Sequence, residues 1–289
     1  MAKTNCWICG SDATHKIYDG TVAKLDASRL QVTDAEYGHT LARWQCQQCQ
    51  FQFCPDADNT AAHYADMVDE EYEETRAPRA LQAKKLVQYL YNNNCRGTLL
   101  DVGSGSGILL EEATKIGFTA EGLEPSEWLA EIGNKRGNTI YCGTLPHKNI
   151  KNKYNAISCI DVVEHVDDPL DLAQQIADLL LPDGKALLVT PDVDSIAARL
   201  MGSKWWHYRV AHIGYFNREN FKLALERSGL QIIEIHRPTW YFPASYLLER
   251  LAVYLPVLKK LPKPQWLQSI IIPLNLLDSW MVLVEHKND

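Results

Sequence analysis

Between about residues 97 and 236 the chain alternates strand-like and helix-like segments, and an alternation of that period leaves few folds open. TLLDVG (98–103) reads as a strand, followed by a Gly-rich turn and a helix through about Ile116. GFTAEGLE (117–124), NTIYCG (138–143), YNAISCID (154–161), KALLVTP (185–191) and LQIIEIH (230–236) are further short strand-like runs bounded by turn signals. Helix starts lie between them. Ser126 is one N-cap; Asp168 is another, with Pro169 in the first turn of a helix to about Leu181; Asn217 caps a helix ending near Ser228-Gly229. LPDG (181–184) turns the chain into the fifth run. Strands joined by helices pair in parallel and carry helices on both faces, which predicts a doubly wound α/β sheet.

The 289 residues are 46% hydrophobic, enough for one large α/β domain and a smaller appendage. Lys+Arg 29 against Asp+Glu 36 leaves a net charge of −7, which argues against nucleic acid as a partner. The opening MAKTNCWICG lacks the apolar core of a secretory leader. The longest apolar candidate, Ser269 to Val284, is broken by Pro273, Asn275 and Asp278. The expectation is a cytoplasmic protein, or one touching the inner face of a membrane only at its surface. Composition divides the chain into a cysteine-bearing lobe (1–58), a helical connector or lid (59–96) and the α/β domain (97–289), with an apolar and basic insertion at 238–277.

The first strand runs into Asp101-Val102-Gly103-Ser104-Gly105-Ser106-Gly107. A Gly-rich turn there lets a ligand approach the backbone at the carboxyl end of the sheet. The spacing is GxGxG rather than the GxGxxG of dinucleotide sites, which disfavours a nicotinamide oxidoreductase. The acid two positions before the first glycine would repel a pyrophosphate and suits a cationic ligand.

DVGSGSG resembles motif I of the class I S-adenosylmethionine-dependent methyltransferases. EGLEPS around Glu124, IDVVEHVDDP (160–169) and LLPDGKALLVTP (180–191) resemble later segments of the same family, in order, of the kind seen in ubiquinone-pathway O-methyltransferases. The resemblance implies a Rossmann-like seven-stranded sheet whose last strand, WMVLVEHK, is antiparallel. It also implies a cofactor site. Gly103, Ser104, Gly105 and Gly107 would pass under the amino-acid part of S-adenosylmethionine, with Asp101 near its ammonium or sulfonium. Glu124 would accept the ribose hydroxyls, Thr144 and Leu145 would flank the adenine, and Asp161 and Val162 would border the site.

Of eight cysteines, Cys6, Cys9, Cys46 and Cys49 form two CxxC pairs 36 residues apart. Two such turns can present four thiolates to one tetrahedral zinc ion, a closed and therefore structural site. A redox dithiol is the lesser reading, since no thioredoxin-like βαβ context surrounds either pair. The spacer is expected to hold a strand meander, KIYDGTVAKLD and the segment around Leu41–Gln45. The lobe resembles N-terminal zinc-ribbon modules attached to some bacterial methyltransferases, including those acting on sugars.

The implied reaction is methyl transfer, most simply to an oxygen of a small-molecule, sugar-containing or lipid-linked acceptor. Carbon or nitrogen methylation on the same cofactor site and a non-catalytic binding module are the alternatives. An oxygen acceptor calls for a base, and His165, His207 and His212 are the candidates. Glu164-His165 is alternatively half of a divalent-ion site. Leu81, Leu86, Tyr89 and Leu90 read as a helix stripe, and the six acids from Asp66 to Glu74 read first as a solvated face and second as part of a lid. Leu247, Leu251, Tyr254/Leu255 and Leu258 repeat at helix spacing beside Arg250, Lys259, Lys260 and Lys263. That pattern fits a lid or homodimer interface first, and contact with an anionic membrane second.

Overall fold

Residues 4–260 and 264–287 of the chain are described by a computed structural model. Lys263, counted above among the bases of the insertion, lies outside them. The N-terminal segment forms β1 (Thr14–Tyr18), β2 (Arg43–Cys46) and β3 (Gln52–Phe53), and the connector forms α1 (Thr60–Ala65), α2 (Glu70–Glu74) and α3 (Arg76–Asn92). The alternating region follows as β4 (Thr98–Val102), α4 (Ile108–Lys115), β5 (Thr119–Glu124), α5 (Glu127–Lys135), β6 (Ile140–Cys142), β7 (Tyr154–Ile160), α6 (Pro169–Leu179) and β8 (Leu180–Pro191). After α7 (Ile196–Met201) and a short β9 (Gly214–Tyr215) come α8 (Arg218–Arg227) and β10 (Leu230–His236). The insertion is β11 (Trp240–Pro243), α9 (Ala244–Tyr254) and β12 (Ile271–Leu274), and β13 (Ser279–His286) closes the chain.

The main sheet has the order β10-β13-β8-β7-β4-β5-β6, with β13 antiparallel to both of its neighbours. The expected α/β fold with an antiparallel last strand is therefore present. Its inner strands are buried on both faces, so they read as unbroken apolar runs: Leu99 and Leu100, Ala156 and Ile157, Leu187 to Val189, and Val282 to Val284 are all buried. The caps act as read: Asp168 accepts from the Asp171 amide at 2.9 Å, and Asn217 forms a capping box with Asn220. The chain steps from β4 to β5 on one side and to β7 on the other, the switch point outside which open α/β sheets bind ligands.

Three local expectations change. Pairing of β8 with β7 begins at Leu180, before the LPDG turn, and skips from Tyr154↔Leu180 to Ala156↔Lys185, so LPDG is a bulge within the strand rather than its start. On α3 the buried residues are Pro78, Gln82, Ala83, Leu86, Val87 and Leu90, while Leu81 is 45% exposed. Five positions separate Leu81 from Leu86, about 140° around a helix, so both cannot face the core. Only the first part of the KIYDGTVAKLD meander is a strand. The amides of Thr21 and Val22 both turn to the Thr40 carbonyl, at 2.9 and 3.3 Å, instead of continuing the ladder.

The lobe's sheet has the order β1-β2-β3-β9, so its fourth strand comes from the far side of the α/β region. Phe51 packs between Phe53 (centroids 5.8 Å) and Phe216 (4.9 Å) at that junction and is fully buried. Phe51→Ala should lower unfolding free energy by about 3–5 kcal/mol in a denaturant titration followed by tryptophan fluorescence, the usual cost of truncating a buried aromatic.

Candidate active site

The turn leaving β4 takes left-handed backbone at Gly103 (φ +77°) and Gly105 (φ +53°). Side chains are excluded there by space as well as by φ. A Cβ on Gly103 would run into the Val162 side chain, and one on Gly105 would stand 2.5 Å from the Tyr72 hydroxyl. The amides of Gly103 and Ser104 both donate to the Leu123 carbonyl, at 2.8 and 2.9 Å, which folds the turn back over the end of β5. Glu124, at the end of β5, then accepts the Gly105 amide at 2.8 Å on one carboxylate oxygen and the Ser126 amide at 2.9 Å on the other. One buried side chain thus fixes two βα turns.

Asp101 is paired across to Ser158 on β7, whose hydroxyl donates to it at 2.6 Å. Burial pushes both carboxyls up to about 7, and the neighbouring Glu124 adds to the rise at Asp101. Asp161, just past β7, has left-handed backbone (φ +52°), and its Oδ1 is buried without a hydrogen-bond partner. Burial, with Asp278 beside it, pushes its carboxyl up to about 7 as well. Buried acids held part-protonated and short of partners fit a cationic ligand.

These groups line a cavity of about 1070 Å³, at the upper end of the range for small-molecule sites. Asp101, Gly103, Ser104, Gly105 and Glu124 stand on its wall, as do Thr144, Leu145, Asp161 and Val162. Gly107 does not: it opens α4, and its Cα faces Asn138.

Of the six acids from Asp66 to Glu74, Asp66, Glu70 and Glu74 are exposed as expected, whereas Asp69, Glu71 and Glu73 are tied inward. Asp69 is buried and accepts the Thr33 amide (3.0 Å) and hydroxyl (2.6 Å). Glu73 pairs with Arg76 (3.3 Å) and Arg136 (3.2 Å) and accepts the Ser106 hydroxyl from the glycine turn. Tyr72, between them, lies over Gly105 with the Arg79 guanidinium 4.3 Å from its ring centre. Sequence reasoning missed Tyr72 and Tyr64. Their signal was two aromatics eight residues apart inside an otherwise polar stretch.

The three histidines converge although 41 residues separate the first from the second. His165 and His212 meet edge to face (4.6 Å between centroids), and His207 stacks on His212 (5.6 Å). All three line the cavity. His165 Nδ1 lies 2.8 Å from the Ala211 carbonyl, which can only accept, so Nδ1 carries the proton and Nε2 is the basic nitrogen. The Tyr64 hydroxyl is 2.7 Å from the same Nδ1. Burial pulls His165 down to about 3 and His212 well below its ordinary value, so both are neutral at pH 7. Glu164, buried beside them, is pushed up; its Oε2 accepts from Thr190 at 3.0 Å, while its Oε1 and His212 Nδ1 have no hydrogen-bond partner. Ligand atoms of Glu164, His165 and His212 lie within 4.8 Å of one another. Asp278 holds the outer end of the cluster, 3.3 Å from His207 Nε2 and 2.8 Å from Trp206 Nε1.

About the other sheet, the sulfurs of Cys6, Cys9, Cys46 and Cys49 also lie within 4.8 Å of one another. The two CxxC turns are built alike: Gly10 N donates to Cys6 O and Gln50 N to Cys46 O, both at 3.0 Å, with left-handed backbone at Gly10 and Gln50. Sulfur separations of 3.5 Å for Cys6–Cys49 and Cys9–Cys46 are close to the about 3.8 Å edge of a tetrahedron with 2.3 Å zinc–sulfur bonds. No disulfide joins them.

The profile of the Methyltransferase domain family matches residues 72–235, more than half of the chain. The chain belongs to the class I S-adenosylmethionine-dependent methyltransferase family. Over 98 residues it is 36% identical to the ubiquinone biosynthesis O-methyltransferase of Actinobacillus pleuropneumoniae, covering 30% of this chain and 42% of that one. The mitochondrial ubiquinone biosynthesis O-methyltransferase of Schizosaccharomyces pombe is 26% identical over 141 residues, 45% of this chain and 52% of that one. The methyltransferase thus spans about half the length of these curated relatives. Its fold is that of the CcbJ methyltransferase from Streptomyces caelestis (TM-score 0.52, 14% identity, 79% of this chain and 99% of that one). A methyltransferase from Clostridium acetobutylicum shares the fold (TM-score 0.51, 11% identity, 72% and 91%).

The raised carboxyls at Asp101 and Glu124 link both folding and ligand binding to pH. Between the ordinary carboxylate range and about pH 7 the folded state binds more protons than the unfolded one, so these two groups contribute less to stability as pH rises. A cationic ligand favours their ionised forms. Binding of S-adenosylmethionine should therefore release protons near pH 7 and tighten as pH rises from about 6 to about 8. Calorimetry in buffers of different ionisation enthalpy reads that release directly.

Proposed function

We propose that the enzyme moves the methyl group of S-adenosylmethionine to an oxygen of an acceptor bound beside His165. The carrying observation is the anchored His165 ring: its Nδ1 proton is committed to the Ala211 carbonyl, leaving a neutral Nε2 on the wall of the same cavity that holds the glycine turn. Glu124 keeps lone pairs beyond its two amide bonds, and these accept the ribose hydroxyls. Asp101 would meet the ammonium or sulfonium end, the turn at Gly103–Gly105 would pass under the amino acid, and Thr144 and Leu145 would flank the adenine. Asp161 and Val162 would border the site. Alignment of acceptor and methyl carbon in the cavity lined by Tyr72 would supply most of the rate; His165 would take the hydroxyl proton as the new C–O bond forms and the methyl–sulfur bond breaks, its electron pair leaving on the sulfur of S-adenosylhomocysteine. The relatives that share the core are O-methyltransferases by name, which supports oxygen over carbon or nitrogen.

The four thiols are proposed to hold one structural zinc ion, whose closed coordination leaves no position for chemistry. A second reading of the histidine cluster is a divalent-ion site at Glu164, His165 and His212, favoured by the two partnerless ligand atoms, Glu164 Oε1 and His212 Nδ1. Such an ion would acidify the acceptor hydroxyl as a Lewis acid.

Glu124→Ala should weaken binding of S-adenosylmethionine by roughly tenfold or more in a calorimetric titration, and unchanged affinity would remove Glu124 from the site. His165→Ala should leave that affinity intact and lower turnover by about 10²- to 10⁴-fold once an acceptor is found by mass spectrometry of methylated products. Plasma mass spectrometry of protein purified without chelator should find one zinc per chain. A second divalent ion lost in Glu164→Ala would favour the ion over the base.

A further inference from the structure

The insertion between β10 and β13 lies beyond the matched family region, which ends at residue 235. From Arg250 to Leu277 it contains no Asp or Glu, in a chain whose net charge is −7. β11 and β12 pair antiparallel and bracket α9. The inner side of this unit walls the cavity through Phe242, Tyr246 and Leu247. Arg250 also turns inward, to the Thr33 carbonyl and to Glu71 at 3.3 Å.

The outer side has a different character. Leu255 is 55% exposed, Val257 69% and Trp266 61%, and the turn that carries Val257 also presents Lys259 and Lys260 to solvent. Leu251 and Leu276 belong to both sides: each lines the cavity and each is exposed, so the cavity opens at this surface. Across from them α7 exposes Ile196 and Leu200 while its Met201 lines the cavity. The Tyr254 hydroxyl donates to the Lys204 carbonyl at 3.0 Å and ties the two banks of the opening together.

We propose that this rim docks on an anionic lipid bilayer and that the acceptor enters from it as an amphiphile. Its apolar body would lie along the insertion and its reactive oxygen would point inward to His165. Exposed leucines, a tryptophan and flanking lysines are the side chains that sit at a charged lipid interface. Self-association suits the surface less well. A two-fold interface sets a patch against its own copy, and here that would oppose lysines to lysines with no acid in the stretch to pair them. The acceptor's orientation rests on the function proposed above; the docking does not.

Flotation of the full chain, saturated with S-adenosylhomocysteine, tests the docking with vesicles of phosphatidylcholine alone and of phosphatidylcholine with phosphatidylglycerol. The expected result is flotation with the anionic vesicles only. It should fall by roughly tenfold or more in Lys259→Glu/Lys260→Glu, the worth of two lysines beside an anionic surface, and also in Leu255→Asp. Calorimetric affinity for S-adenosylhomocysteine should stay unchanged in both variants, which shows that they fold. Because that affinity is read separately, a protein that binds the nucleoside but never floats overturns the docking and leaves the methyltransferase site standing. Equal flotation with neutral vesicles overturns the anionic surface. A dimer in analytical ultracentrifugation that Leu255→Asp dissociates assigns the rim to a second copy instead.

Discussion

Three carboxyl groups at the ends of adjacent parallel strands, two of them buried and the third half-buried, are what the rest of this molecule is arranged around. Parallel pairing sets Asp101 on β4 opposite Ser158 on β7, and β5 delivers Glu124 at the same edge. Asp161 follows where β7 stops. Taking acids out of water is costly unless each gains partners. Glu124 has two amides and Asp101 has one hydroxyl, whereas one oxygen of Asp161 has no hydrogen-bond partner. The bond from the Gly105 amide to Glu124 also helps to shape the glycine turn.

The sheet was legible because its signals are local. Caps, turn glycines and short apolar runs each act within a few residues, and Asp168, Asn217 and the DVGSGSG turn do what their neighbours in sequence suggest. The resemblance to a known family added the antiparallel last strand. The cysteine turns were legible for the same local reason. What sequence could not supply was convergence. His165 meets His207 and His212 only because the segment after α7 folds over the end of β7, with Ile213 N donating to the Glu164 carbonyl at 2.9 Å. The inward ties of Asp69, Glu71 and Glu73 are hidden in the sequence because their partners, Thr33, Arg250 and Arg136, are far away in the chain. Leu81 misled for a simpler reason: leucine is common on helices whichever way it points.

The cavity has two halves of different origin. The sheet and its turns build the polar half, which the family profile covers. The connector and the insertion build the opposite wall, and they are joined to each other: Arg250 of α9 reaches Glu71 of α2, and Asp69 holds Thr33 in the N-terminal segment. No helix among the described residues is long and apolar enough to cross a membrane. Of these two additions the insertion lies wholly beyond the family match, which ends at residue 235, whereas α3 of the connector lies within it.

The strand β9 ends two residues beyond Ile213 yet pairs with β3 in the cysteine-bearing sheet, and the Cys54 amide donates to the Ile213 carbonyl at 2.8 Å. Further along, Asn220 reaches the Cys49 carbonyl (3.3 Å) and Arg227 that of Ile8 (2.7 Å). The lobe is therefore not a detachable accessory. Trimming it from the chain, or transplanting it to another enzyme, would strip the backbone beside His212 of its neighbour. Folding of the lobe and ordering of the segment behind His212 are therefore one event rather than two.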